Sequence, residues 1–166
     1  MEVIKSILDG IAAVVKRVIA VMLGVMLVVA LVEVFRRYLF GLSFPWSEEL
    51  IRYLIIWVSF LGGAVAYKEQ NLVFFDMIVD KLHSKFKYVL LMLTNTVSLI
   101  FVSYIFSYAL KVINKPSIVK QKSIGLQISM LYPYLAIPVG LGLMILFGLY
   151  HYRVIYATYK NGGYNK

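Results

Sequence analysis

Along this 166-residue chain, polar side chains fall in short groups that separate four long apolar stretches. Val18 to Val32 is a run of fifteen uncharged residues. It reaches spanning length if the helix continues outward past its flanking charges, over about residues 14–36. The second stretch, Leu50 to Tyr67, is broken by Arg52 alone and predicts a helix over 48–68. Tyr88 to Leu110 carries no charge, and the fourth helix is expected over 127–151, inside uncharged Ser123 to Tyr150. A helix needs about 20 mainly apolar residues to cross the hydrocarbon core of a bilayer. Barrel strands would alternate in and out and last about ten residues. These runs are continuous, and an isolated span must satisfy its own backbone, which a helix does. The expectation is one all-α integral membrane domain, residues 1–166, with four transmembrane helices.

Between the second and third runs the pattern changes. In LVFFDMIVDKLHSKFKY, Phe75, Ile78, Val79, Leu82 and Phe86 recur at three- and four-residue steps, while Asp76, Asp80, His83 and Lys87 form another face. Two readings fit residues 72–87: an amphipathic helix lying in the membrane interface, or an extension of the neighbouring span.

Composition supports the membrane reading. Hydrophobic residues make up 61% and charged residues 15%, with a mean hydropathy of +0.83; soluble domains are about half apolar and about a quarter charged. The net charge of +9 does not form the single basic stripe of a nucleic-acid binder. The bases sit at the ends of apolar runs, where anionic membrane lipids attract them. With four spans both termini share one side, which collects ten bases (Lys5, Lys16, Arg17, Lys68, Lys81, Lys85, Lys87, Arg153, Lys160, Lys166). The other side has seven: Arg36, Arg37, Arg52, Lys111, Lys115, Lys120 and Lys122. That asymmetry favours cytoplasmic termini. Lys16-Arg17 before an apolar run resembles a secretory signal, but Glu33 and Arg36-Arg37 follow it instead of a small-residue cleavage pattern, so a retained first span is expected. With no cysteine, disulfides, thiolate catalysis and cysteine-based metal sites are excluded.

The second span opens with unusual polarity: Trp46-Ser47-Glu48-Glu49, then Arg52. Ser47 is placed as an N-cap, both acids suit the positive end of the helix dipole, and Glu48 is four residues before Arg52, the favourable order for an ion pair. A well-formed helix start accounts for much of this. It does not require two acids and an arginine that shortens an already short span, because arginine deep in a bilayer costs about 2.5–3.5 kcal/mol. A partner protein or a water-filled cavity meeting this edge would relieve that cost. Trp57, mid-span, reads as a packing residue or a partner contact.

Ser59 with Gly63, Gly62 with Ala66, Ala20 with Gly24 and Ala136 with Gly140 are small pairs four apart that let helices approach closely. Glu33 is expected to pair with Arg36 or Arg37. Pro133 and Pro138 are expected to bend the last span. Neither His83 nor His151 lies where a bundle-bound haem would need it, and no triad, phosphate loop or pair of inward carboxylates appears. No catalysis or cofactor is expected.

With these residues placed, the chain resembles the small membrane subunit (Q-type, DctQ-like) of tripartite ATP-independent periplasmic (TRAP) transporters. The resemblance rests on WSEELIRYLIIWVSFLGGAVAYKEQ, residues 46–70, on Arg37-Tyr38 with Gly41 upstream, and on QKSIGLQISMLYPYLAIPVGLGLM, residues 121–144. One position departs: Leu72, four before Asp76, stands where the family commonly has histidine. The resemblance implies a non-catalytic subunit of the bacterial inner membrane. It would brace a large TRAP membrane subunit that takes up an organic acid, such as a dicarboxylate or sialic acid, with a sodium gradient. A periplasmic substrate-binding protein would deliver that cargo. Trp46, Glu48, Glu49, Arg52 and Trp57 are then candidate partner contacts, and Ser59, Gly62, Gly63 and Ala66 helix-packing positions. The competing class is an independent proton-coupled exporter, a homo-oligomer of four-helix chains using Glu33 as its intramembrane carboxylate.

Overall fold

The first three apolar runs lie inside longer helices in the computed structural model, which describes residues 2–69 and 84–160. The helix of the fourth run starts at Leu131 rather than 127 and runs on to Lys160, because residues 121–130 form a loop. The helices are α1 (Glu2–Phe40), α2 (Ser47–Lys68), α3 (Ser84–Ile113), a short α4 (Pro116–Lys120) and α5 (Leu131–Lys160). All but α4 are long and apolar enough to cross a membrane, so the chain is an all-α, multi-pass membrane protein. The proposed interfacial helix over 72–87 falls mostly at residues 70–83, outside the described residues; its last four positions, 84–87, already belong to α3.

The apolar runs set a minimum length, and local packing carries the helices further. With 39 residues, α1 is about 58 Å long at 1.5 Å per residue, nearly twice the roughly 30 Å hydrocarbon core. Its first turns continue because Leu8 and Ala12, four apart, are buried against the rest of the chain. It ends at Gly41, whose φ of +65° is a left-handed cap, with its N–H donated to the Arg37 carbonyl at 3.1 Å.

α5 is the central helix: α2 packs on it, α3 packs on it, and α1 is attached through α2. The best-packed cluster, Leu8, Ala12, Ala64 and Phe147, joins the beginning of α1 to the later turns of α2 and α5. Lipid tails are as apolar as leucine, so burial alone does not hold such helices together; close backbone approach and polar ties must contribute. Gly140 supplies the approach. A Cβ there would stand 2.6 Å from Phe60 Cβ and 2.8 Å from its carbonyl oxygen. Gly148 does the same against Leu99 of α3, with 2.6 Å to Cδ2.

One set of ties lies at the end where α1 begins and α5 finishes. Buried Asn95 of α3 accepts a hydrogen bond from the Tyr67 hydroxyl at 2.7 Å and donates to the Gly148 carbonyl at 3.1 Å, linking three helices. His151 bonds to the Lys68 carbonyl at 3.1 Å and stacks on Tyr67. Lys68 pairs with Asp9, and Lys16 with Glu69.

Several expectations change here. Pro133 falls in the first turn of α5, where a backbone N–H has no intrahelical partner to lose, so Pro138 alone lies in the helix interior. Of the small pairs, Ala136 with Gly140 sits in the α2–α5 contact. Gly63 faces the flexible end of Met144, whereas Gly24 and Gly62 have nothing within 4 Å. Ser59 is exposed and Ala66 half-buried.

Gly140→Ala forces atoms into the Phe60 backbone, which cannot yield as a side-chain end can. It should destabilise the chain by about 1–3 kcal/mol, read as a lowered midpoint of thermal unfolding in detergent. Gly62→Ala enters open space and should leave the midpoint unchanged or raise it, since helix propensity adds up to about 1 kcal/mol of stability.

Candidate functional site

At the opposite end of the bundle, two glutamates hold two connections. The first is the turn between α1 and α2. Glu33 accepts hydrogen bonds from the Ser43 hydroxyl and from the Phe44 N–H, the latter at 3.2 Å to each carboxylate oxygen. It does not form the expected ion pair with Arg36 or Arg37. Arg36 instead stacks its guanidinium over the Phe44 ring at 3.5 Å, and Phe44 meets Trp46 with ring centroids 5.3 Å apart. The carboxylate is taken by donors from the turn because Gly41 folds the chain back over the last turns of α1.

The second connection joins α3 to α5. After α4, residues 121–130 form a tight loop: Ser123 N–H donates to the Ile128 carbonyl at 2.8 Å and Met130 N–H to the Gln121 carbonyl at 2.9 Å. Gln127 takes a left-handed φ of +57° and donates its side-chain amide to the Ile124 carbonyl. Glu49, in the first turn of α2, reaches into this loop. One carboxylate oxygen accepts the Gly125 and Leu126 N–H groups at 2.8 and 2.9 Å, and the other accepts the Tyr53 hydroxyl at 2.6 Å. Gly125 must be glycine, because a Cβ would stand 2.6 Å from the Pro45 carbonyl oxygen and 2.9 Å from the Trp46 Cα.

Ser47 does not cap α2. Trp46 occupies the N-cap position, and the Ser47 hydroxyl, almost fully buried, donates back to the Phe44 carbonyl at 2.8 Å. The turn 44–47 already gives Ser47 helical geometry, so its side chain faces backwards into the turn. Glu48 and Arg52 also depart from expectation: both are exposed and make no ion pair with each other or with another described residue. An exposed pair of this spacing is worth only about 0.2–0.5 kcal/mol. Trp57 is half-buried and donates its indole N–H to the Tyr132 carbonyl at 3.2 Å, joining α2 to the first turn of α5.

The sequence-derived candidates therefore divide. Glu49 and Trp57 make intrachain bonds, and Trp46 is half-covered by the turn and the loop. Glu48 and Arg52 face outward, beside a loop whose tip, Ile124, is 92% exposed. Among the described residues no group of three or more His, Cys, Asp or Glu could hold a metal. The arrangement presents an anion, a cation and an apolar tip along one exposed edge. Sequence reasoning missed Ser43, Phe44, Tyr53, Gly125 and Leu126. Glu49 and Tyr53, four apart on one helix face, were a readable signal; Gly125, 76 residues from Glu49, left none.

Residues 13–157 match the family described as tripartite ATP-independent periplasmic transporters, DctQ component. The chain is 31% identical over 99 residues to the isethionate TRAP transporter permease protein DctMQ of Oleidesulfovibrio alaskensis, a match covering 60% of this chain and 16% of that one. It is 37% identical over 60 residues to a chain of Haemophilus influenzae named as a TRAP transporter small permease protein, covering 36% and 37% respectively. The matched regions thus span well under half of either relative.

Removing the Glu49 carboxylate should free the 121–130 loop while leaving the helices in place. In Glu49→Ala, amide exchange at Gly125 and Leu126 should rise about 10- to 100-fold, as the loss of charge-assisted bonds worth about 1.5–3 kcal/mol implies. Hydrogen exchange followed by mass spectrometry in detergent reads this directly, with Asn95-linked peptides of α3 as the unchanged reference.

Proposed function

The chain belongs to the DctQ family of the tripartite ATP-independent periplasmic transporters, and from that premise we propose that it is the small membrane subunit of such a transporter. In this reading it braces a larger membrane subunit in the bacterial inner membrane. That subunit takes up an organic acid, delivered by a periplasmic binding protein, and draws on a sodium gradient. The family match over residues 13–157 carries the proposal. The relative from Oleidesulfovibrio alaskensis is named for isethionate, which supports a small organic acid as cargo.

Two features of the fold support a bracing role. The most apolar stretch of α1 buries none of its residues within the chain, and that of α3 very few, so long apolar faces are open to lipid or to another membrane protein. The edge at the start of α2 leaves Glu48 and Arg52 unpaired beside the Ile124 tip. With both termini cytoplasmic, as the basic residues favour, this edge lies at the periplasmic boundary. There Trp46, Glu48, Arg52 and Ile124 would meet the large subunit or the binding protein, while Glu49 and Trp57 hold the surface in shape from behind. Glu33, occupied by the α1–α2 turn, does not favour the proton-coupled exporter.

Purification of the tagged chain from its native membrane in mild detergent tests this. A polytopic membrane protein should co-purify in fixed stoichiometry, and Glu48→Ala/Arg52→Ala should reduce its recovery at least about tenfold without changing the yield of the tagged chain. Recovery of homo-oligomers alone would overturn the subunit reading. Undiminished recovery with the double variant would remove the edge from the interface.

A further inference from the structure

The helix ends remote from that edge line an open-sided cavity of about 590 Å³, within the roughly 300–1,000 Å³ of small-molecule sites. We propose that it is a binding site for an anionic phospholipid, with Lys5 and Arg153 holding the headgroup phosphate and Ile4, Tyr150, Val154 and Ala157 receiving the start of an acyl chain.

Among the described residues the lining carries three bases, Lys5, Lys68 and Arg153, and two acids, Asp9 and Glu69. Both acids are already engaged: Asp9 pairs with Lys68, and Glu69 pairs with Lys16 from outside the lining. Lys5 of α1 and Arg153 of α5, both exposed, thus bring to one cavity two positive charges that make no ion pair among the described residues.

Tyr150, Val154 and Ala157 lie on one face of α5, at steps of four and three residues, and with Ile4 they make an apolar wall beside the cations. A small soluble anion has no use for such a wall, whereas a phospholipid presents a phosphate joined to hydrocarbon. Position fits too, because the site lies where α1, α2 and α5 pass from their apolar stretches to charged ends. Basic pockets between spanning helices at this level suit anionic headgroups.

Tyr150 also packs on the buried cluster of Leu8, Ala12, Ala64 and Phe147. Lys68 is held at both its side chain, by Asp9, and its carbonyl, by His151. The walls are thus in place before a lipid arrives, which keeps the ordering cost of binding low.

Native mass spectrometry of the purified full chain, equilibrated with mixed micelles of phosphatidylglycerol and phosphatidylcholine, tests the proposal. One phosphatidylglycerol should be retained per chain, preferred over phosphatidylcholine by about 25-fold, as two bases contributing about fivefold each imply. Lys5→Gln/Arg153→Gln should lower the preference below about twofold, whereas Lys115→Gln/Lys120→Gln, the same charge loss at the other end, should leave it intact. Lys5→Gln alone, on an exposed turn, should lose about fivefold and serves if the double variant does not fold. An unchanged preference in Lys5→Gln, or equal loss in both double variants, overturns the site. Complete displacement of phosphatidylglycerol by inorganic phosphate at matched concentration overturns the lipid and assigns the cations to a soluble anion.

Discussion

The contact of Gly140 with the backbone of Phe60 sets the distance between α2 and α5, and the remaining structure is arranged around that pair. In lipid, two apolar helices gain little by touching unless they come close enough for many atoms to meet. Glycine at this position removes the one carbon that would hold them apart. With α2 and α5 in register, Ala64 and Phe147 are fully covered, Trp57 reaches the Tyr132 carbonyl, and Tyr67 stacks on His151. Gly148 extends the same device to α3, and Asn95 fastens that helix with polar bonds on two sides. α1 joins last, through Leu8 and Ala12 and two ion pairs at its beginning.

This order of attachment explains the unequal coverage of the spans. α5 is the most covered, α2 next, and α1 and α3 present apolar surface outward. Such a chain is a platform whose two ends carry different chemistry. At one end, Glu33 and Glu49 tie down the α1–α2 turn and the 121–130 loop, leaving Glu48, Arg52 and Ile124 on a defined edge. At the other, Lys5 and Arg153, which make no ion pair among the described residues, line a cavity with Ile4, Tyr150, Val154 and Ala157. The two glutamates are the reason the outward edge has a fixed shape. Each is surrounded by donors from a connection that would otherwise have only its own turn bonds to hold it.

Several features were legible in the linear pattern because their physics is local. Continuous apolar runs bounded by charge must be helices in a bilayer, and Glu48 and Glu49 at the start of a span must meet the dipole of that helix. The role of Ala136 with Gly140 was equally readable as a close-packing pair. Other features could not be read this way, since their outcome depends on atoms far along the chain. Whether Glu49 faces outward or inward turns on Gly125, and whether Glu33 chooses Arg36 or Ser43 turns on how Gly41 folds the chain back. Gly24 and Gly62 have the same signature as Gly140 yet meet nothing within the chain.

From sequence alone came the solvent, the number of spans and the resemblance of residues 46–70 and 121–144 to one family. Hydropathy and helical period act over a few turns and need no knowledge of neighbours. Tertiary structure alone decided which acids are engaged and which are open. It decided which glycines are contacts, and that Lys5 and Arg153, 148 positions apart in number, line one cavity. Those outcomes follow from the crossing of α1, α2 and α5, and a crossing is set by side chains that meet only once the helices have packed.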